Sequence, residues 1–172
     1  NADLRNADLR FADLNNADLS NADLSNADLS DVVLDHANGS YANFSNAMLE
    51  RFYVFNTSLN NANFSNSEMF GAIFHSSDMS NGDWSNANLA SAKFFGVGLM
   101  RTNLSNADLS RANIESSTMD YSDLSNADMS DAIVYGETVS LLDVIWSNTT
   151  CPNGTKSDDN GDTCVNTLAA YD

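Results

Sequence analysis

Residues 16–30 read NADLSNADLSNADLS, which is the same five-residue unit three times in succession. The unit continues in both directions: from Leu4 to Val134 every fifth residue is apolar in 26 of 27 repeats, and Gly39 is the exception. The residue two places before each apolar centre is small, with Phe52 as the outlier. Such a regular internal repeat decides the fold of most of this 172-residue chain.

A period of five matches neither an α-helix nor a plain β-strand. Residues two apart in an extended segment point to the same side, so Ala2 and Leu4 face inward and Asp3 faces outward. The other two residues of each repeat are rich in Asn, Ser, Asp and Gly, which favour tight turns. We therefore expect sides of three residues joined by corners of two.

The spacing of the bulky residues indicates how many sides close one coil. The ring-bearing centres Phe44, Phe64 and Trp84 lie 20 residues apart in the sequence, and so do the outward residues Val33 and Tyr53. Four repeats of five residues therefore form one coil, which favours four sides over three. Periodicity does not give the handedness.

The tandem A-D/N-L-x-x pattern resembles the pentapeptide-repeat family. The resemblance implies an all-β fold, a right-handed four-sided parallel β-helix, over residues 1–135 with 27 repeats in just under seven coils. The central Leu or Phe and the small residue before it would fill the interior. Gly39 would leave a gap there and Phe52 would overfill a small site, and we expect the two to compensate each other.

Residues 136–172 are predicted to form a C-terminal cap that partly continues the coil, since Val139 and Val144 keep the five-residue register. Helix and strand remain equally open for its apolar part. Cys151 and Cys164 flank a polar loop, where a local disulfide is worth about 3 kcal/mol in the chain-entropy model. This pairing predicts an oxidising compartment, extracellular, periplasmic or lumenal, and a leader already removed. Two free cytosolic thiols are the alternative.

The same loop contains a weak calcium candidate, because Asp158, Asn160 and Asp162 alternate as in calcium-binding loops. The glycine and the distal glutamate of an EF-hand are missing, so a solvated turn is the alternative reading. A zinc site is not expected, since His36 and His75 are far from the cysteines in sequence. We expect no cofactor.

The composition restricts the function. A net charge of −17 excludes a phosphate-backbone binder of the usual basic kind, and no apolar run is long enough for membrane insertion. Carboxylates recur along two sides, as in Asp3 and Asp23 or Asp8 and Asp28, where they would repel each other at about 5 Å. No nucleophile, base or phosphate loop has the spacing of a catalytic motif, so we predict a non-enzyme.

One side differs from the others, because its outward and corner positions carry aromatic and branched residues. Such a contiguous apolar band usually marks a contact surface, although the preference of β-ladders for these residue types is an alternative explanation. The predicted interaction surface consists of Val33, Tyr53, Phe55, Ile73, Phe95, Ile133 and Tyr135.

Two functions remain after these exclusions. The first is an exported structural or interaction solenoid whose protein partner is itself, stacked end to end through an uncapped first coil. The second follows from the resemblance: some pentapeptide-repeat proteins mimic DNA and bind DNA gyrase, and the carboxylates would suit that role. Against it, such mimicry occurs in the cytoplasm, where the cysteine loop would be reduced.

Overall fold

A computed structural model describes residues 2–168 of the chain. It is a right-handed, four-sided parallel β-helix, as the resemblance implied. Four ladders of parallel backbone pairs run along its sides. Face 1 runs from Asp3 to Ile145, face 2 from Asp8 to Thr150, face 3 from Asp13 to Ile133, and face 4 from Asp18 to Ser140.

Face 3 is the side on which the pairing extends over three residues per coil. Its six strands form one parallel sheet in sequence order, and each pairs with the next at a spacing of 20 residues. The strands are β1 Val33–Asp35, β2 Tyr53–Phe55, β3 Ile73–His75, β4 Lys93–Phe95, β5 Asn113–Glu115 and β6 Ile133–Tyr135. Two short 3₁₀ helices follow, Ser157–Asn160 and Val165–Thr167.

The five N–H groups of one repeat each have an acceptor. Around Leu24, three of them bond to neighbouring coils and the N–H of Ala27 closes the corner on the carbonyl of Leu24 at 3.1 Å. The fifth, from Ser25, donates to Oδ1 of Asp23 at 3.1 Å. The outward Asp or Asn therefore supplies the one acceptor that the backbone lacks, which explains its place in the motif.

The second corner residue of the repeats adopts a left-handed conformation. Asn26, Asn46 and Asn66 have φ values of 58°, 58° and 59°. Asn tolerates this region better than other residues with side chains, so its abundance at the corners has a backbone cause.

The corner after face 3 closes differently. The N–H of Ala37 donates to the hydroxyl of Thr57 in the next coil at 3.3 Å, and the N–H of Thr57 donates to the hydroxyl of Ser77 at 3.0 Å. Thr57 and Ser77 are buried. These hydroxyls take the part that a backbone carbonyl plays at the other corners.

The interior contains stacked rings, as the 20-residue spacing predicted. Phe44 stacks on Phe64 with ring centroids 4.7 Å apart, and Phe64 contacts Trp84 at 4.4 Å. On the opposite wall Phe74 stacks on Phe94 at 5.1 Å and meets Trp84 edge-on across the interior at 5.5 Å. The rings thus tie two faces together as well as successive coils.

Phe52 was expected to compensate for the gap at Gly39, but a different residue fills that space. A Cβ atom placed on Gly39 would lie 2.6 Å from Cδ2 of Leu59, and the ring of Phe44 is the next neighbour at 3.8 Å. Leu59 is the centre of the same face one coil later, so it fills the gap. Phe52 is itself completely buried.

Trp84 requires a similar accommodation. A Cβ atom on Gly82, the small residue of the same repeat, would lie 2.6 Å from the indole Nε1 of Trp84. The absence of a side chain at Gly82 therefore makes room for the largest ring in the core. The indole N–H is buried and has no hydrogen-bond acceptor in the structure.

The coil continues beyond residue 135, but its spacing changes from 20 to 22 residues. Thr118 pairs with Ser140, and Asp128 pairs with Thr150. Ser140 and Ile145 are therefore outward residues, and Val139 and Val144 occupy the small-residue positions directly before them. The expectation that these two valines stay in register as apolar centres is wrong. Two residues inserted after β6 shift the register.

We expect Gly82→Ala to lower the free energy of unfolding by about 1–3 kcal/mol, because the added methyl overpacks the core against the indole. Trp84→Phe removes the nearest obstructing atom and the unpaired donor, so in that background Gly82→Ala should cost less, with the carbonyl oxygen of Ala62 at 3.1 Å as a remaining close contact. Urea unfolding of the four chains measures this coupling. Equal costs in both backgrounds would contradict the assigned contact.

Candidate interaction surface

Face 3 brings the predicted apolar residues together on one side. Val33, Tyr53 and Ile133 are outward residues of their strands and are 40%, 37% and 39% exposed, and Ile73 is half-buried between them. Lys93 and Asn113 interrupt the apolar run at β4 and β5. The outward side chains of β1 to β3 thus form a continuous apolar stretch.

A column of rings follows the edge of this face, where each strand ends. Phe55 lies 4.9 Å from the ring of His75 and 6.3 Å from that of His36, and His75 lies 6.1 Å from Phe95. We call the column His36, Phe55, His75 and Phe95 the ring ladder. Both histidines of the chain belong to it. From the sequence, the histidines were considered only as residues distant from the cysteines, and the ring ladder was not predicted, although residues 55, 75 and 95 lie 20 apart in the sequence.

Polar groups close both ends of the ring ladder. The hydroxyl of Tyr135 donates to the carboxylate of Glu115, and this hydrogen bond raises the pKa of Tyr135. At the other end Nδ1 of His36 lies 2.6 Å from Oδ1 of Asp35. The ring ladder therefore lies between the carboxylates of Asp35 and Glu115.

Faces 1 and 2 carry the acidic ladders, but their carboxylates are less exposed to one another than expected. Arg5 lies 2.7 Å from Asp3 and 3.8 Å from Asp23, so one cation serves two coils. The bonds from the Arg5 side chain, followed by its backbone N–H, lower the pKa of Asp3 to about 2. Arg10 does the same for Asp8.

Amide side chains separate other carboxylates in these ladders. Nδ2 of Asn43 donates to Asp23 at 3.1 Å, and Nδ2 of Asn103 donates to Asp83 at 3.0 Å. The pKa of Asp23 is lowered, first by the hydroxyl of Ser25 and then by its backbone N–H. Asp3 does lie directly against Asp23 as expected, with Arg5 beside both, whereas Asn43 and Asn103 separate the later carboxylates of face 1.

The C-terminal cap is fastened by a disulfide between Cys151 and Cys164, and both residues are buried. Cys151 also follows the last outward residue of face 2, Thr150, in the place of an apolar centre. The hydroxyl of Ser157 donates to the carbonyl of Trp146 beneath it. The cap is thus part of the core rather than a loose extension.

The calcium candidates are engaged in the cap. Oδ1 of Asp158 accepts the N–H of Asn148 at 2.7 Å, and Nδ2 of Asn160 donates to the carbonyl of Lys156 at 2.8 Å. Asp162 adopts a positive φ of 60° after the first 3₁₀ helix. Within residues 2–168, no three His, Cys, Asp or Glu side chains form a group that could hold a metal ion.

Among the residues that the structure describes, no helix has the length and apolar character to span a bilayer.

Comparison with known proteins agrees with this architecture. The family model "Pentapeptide repeats" matches in eight copies over residues 2–38, 17–52, 55–83 and 99–134. The matches cover more than half of the chain, and the protein therefore belongs to the pentapeptide-repeat family. No curated protein matches it.

Several solved structures share the fold. A trypsin-treated variant of QnrB1, a plasmid-mediated fluoroquinolone resistance protein, has a TM-score of 0.63 at 21% identity, over 78% of this chain and 68% of its own. Rfr23 from the cyanobacterium Cyanothece 51142 has a TM-score of 0.48 at 19% identity, over 69% and 63%. A pentapeptide repeat protein of the Arabidopsis thaliana thylakoid lumen has 0.45 at 23%, over 69% and 67%. At these identities the likeness concerns the fold.

We expect Asp83→Asn to leave the melting temperature nearly unchanged, because an amide oxygen can accept the N–H of Ser85 as the carboxylate does. Asn63 and Asn103 accept the equivalent N–H groups in the neighbouring coils. Asp83→Ala removes the acceptor and should lower Tm by about 3 °C. Thermal unfolding followed by circular dichroism measures both, and equal losses would contradict the role assigned to the side-chain oxygen.

The disulfide predicts that the native protein has no thiol to react. Its mass without reductant should be two hydrogens below that of the reduced chain, and iodoacetamide should leave it unlabelled. After reduction, the cap should unfold at a lower temperature than the disulfide-bonded form, because closing its loop no longer restricts the unfolded chain. Labelling of both cysteines in the native protein would contradict the bond.

Proposed function

We propose that the protein is an exported, non-catalytic interaction solenoid that contacts another protein through face 3 and the ring ladder. The observation that carries this proposal is the run of three successive apolar outward residues on face 3, Val33, Tyr53 and Ile73, which the outward positions of faces 1, 2 and 4 do not repeat within the described residues. Tyr53 is central in that stretch, and tyrosine is among the residue types that contribute most to binding energy at interfaces. Burial of this stretch by a partner would be favourable by about 25 cal/mol per Å² of apolar area.

The preference of β-ladders for branched and aromatic residues does not account for the stripe. Faces 1, 2 and 4 form unbroken ladders with Asp, Asn and Ser at most of their outward positions. Within face 3 itself, Lys93 and Asn113 occupy outward positions of β4 and β5 without loss of pairing. Because polar residues serve the ladder equally well, the apolar ones call for another explanation, and contact with a protein is the one we propose.

Export is supported by the cap. Cys151 and Cys164 are buried and bonded to each other, and the bond closes the cap over the last coil. Disulfides of this structural kind persist in oxidising compartments and are rare where glutathione keeps thiols reduced. An extracellular, periplasmic or lumenal location therefore suits the fold as it stands.

The cap also bears on the route of self-association. End-to-end stacking would need free backbone groups on the last coil, but Thr150 pairs antiparallel with Lys156, and Trp146 and Cys151 are covered. Side-on contact through face 3 needs no such rearrangement. We therefore favour the side over the end as the contact surface.

An acidic mimic of DNA that binds DNA gyrase is the second candidate. The charge of −17 and the carboxylates of faces 1 and 2 favour it. The amide and arginine partners that separate many of these carboxylates, and the disulfide, count against it. The two candidates use different surfaces, so substitutions can distinguish them.

The test compares two variants of equal size. In one, Val33, Tyr53 and Ile133 of face 3 are changed to Ser, a residue that face 4 already carries at an outward position, Ser58. In the other, the matched control, Asp23, Asp83 and Asp123 of face 1 are changed to Asn. We expect extracellular proteins retained by the immobilised wild type to bind the face 1 variant equally and the face 3 variant at least tenfold more weakly.

Purified DNA gyrase provides the opposing arm of this experiment. The proposed function predicts no effect of the wild type on supercoiling. Inhibition that is lost in the Asp-to-Asn variant and kept in the Ser variant would overturn the proposal in favour of the acidic mimic, and unchanged retention by the Ser variant would overturn it as well.

A further inference from the structure

The charged residues of the molecule are unevenly distributed over its faces. Five outward positions of face 2 are carboxylates, namely Asp8, Asp28, Glu68, Asp108 and Asp128. The eighteen residues of β1 to β6 include only Asp35, Lys93 and Glu115 as charged groups apart from histidine. With Asp13, which begins face 3 one coil earlier, this face carries three carboxylates against one ammonium in a chain of net charge −17. A second copy of this chain can approach there with the least repulsion.

We propose that the occupant of face 3 is face 3 of a second copy, in an antiparallel pair with its twofold axis between β3 and β4. This inference rests on the proposed function and names its partner. The contact is isologous, so the same residues serve both copies and the assembly closes as a dimer.

The sequence of outward residues favours the antiparallel arrangement. In it Val33 lies opposite Ile133 of the second copy, and Lys93 lies opposite Ile73, whose side the lysine stem can cover. A parallel pair would place the two Lys93 ammonium groups against each other in a contact with few carboxylates. Like charges directly opposed are destabilising, so the parallel pair is disfavoured.

The ring ladder supports the same axis. A twofold axis that lies in the interface and runs along the strands keeps the corner of one copy beside the corner of the other. His75 then meets the second copy's Phe95, and Phe55 meets its Glu115. The aromatic columns thus lie side by side in the antiparallel pair, whereas a parallel pair would place them at opposite edges of the interface.

The small area of face 3 limits how strongly two copies can associate. Six strands at about 4.8 Å give a height of about 29 Å, and a side with its corner is roughly 15 Å wide. The interface therefore buries on the order of 900 Å² in total, below the roughly 1,200 Å² of stable complexes. The pair is expected to be weak and reversible, and to form at high local concentration.

Sedimentation equilibrium of the full chain tests the pairing from about 10 μM to 1 mM. The expected mass rises from that of one chain towards that of two and does not pass it. Tyr53→Ser should raise the dissociation constant at least tenfold, while Asp83→Asn, on the opposite face, leaves it unchanged. A wild type that stays monomeric over the whole range, or an equal response to both substitutions, overturns the pairing.

Cross-linking tests the orientation. Val33→Cys and Ile133→Cys each add one thiol, and a bismaleimide with a reach of about 10 Å spans two faces packed together. An equimolar mixture of the two variants should yield a covalent dimer, and each variant alone should not, because identical positions lie at opposite ends of the antiparallel contact. Cross-linking of each variant alone, or none in the mixture, overturns it.

These outcomes separate the pairing from the function on which it rests. A monomeric wild type whose face 3 variant still loses retained proteins would remove the second copy as the occupant and keep the interaction surface. Unchanged retention by the face 3 variant would remove the interaction surface itself.

Discussion

The supply of acceptors for backbone N–H groups is the constraint on which this structure depends. A strand at the edge of a sheet leaves half of these groups unpaired, whereas a closed coil passes them to the coils before and after it. Four of the five amides in the repeat around Leu24 bond to backbone carbonyls, and the side chain of Asp23 accepts the fifth. The motif can therefore repeat without change, because each unit satisfies the same requirement.

Most of the fold was predictable because the repeat is a local pattern with a global consequence. The small and large residues two positions apart both face the interior of the β-helix, and the 20-residue spacing of Phe44, Phe64 and Trp84 gives the number of sides. What escaped prediction depends on contacts between coils. Leu59 fills the space at Gly39 from the next coil, and the hydroxyl of Thr57 accepts an N–H from the coil before it.

The register of the C-terminal part failed for a different reason. Val139 is apolar and small enough for either inward position of a repeat, so its presence every fifth residue does not distinguish centre from neighbour. The two inserted residues become visible in the pairing between coils, as between Thr118 and Ser140. The apolar stripe of face 3 was predictable from spacing alone. The ring ladder was not, because histidine is polar and a search for apolar residues at a fixed spacing passes over it.

The choice between Asp and Asn separates charge from architecture. Asn63 and Asp83 use the same oxygen to accept the same N–H, so the turn does not require the negative charge. An all-amide ladder would present flat rows of side chains able to bond to identical rows, which is the arrangement that drives aggregation. Carboxylates on faces 1, 2 and 4 repel such contacts while serving the same turns. Among the outward positions of face 3 only Asp13 carries a carboxylate, so the proposed contact surface lies where this repulsion is weakest.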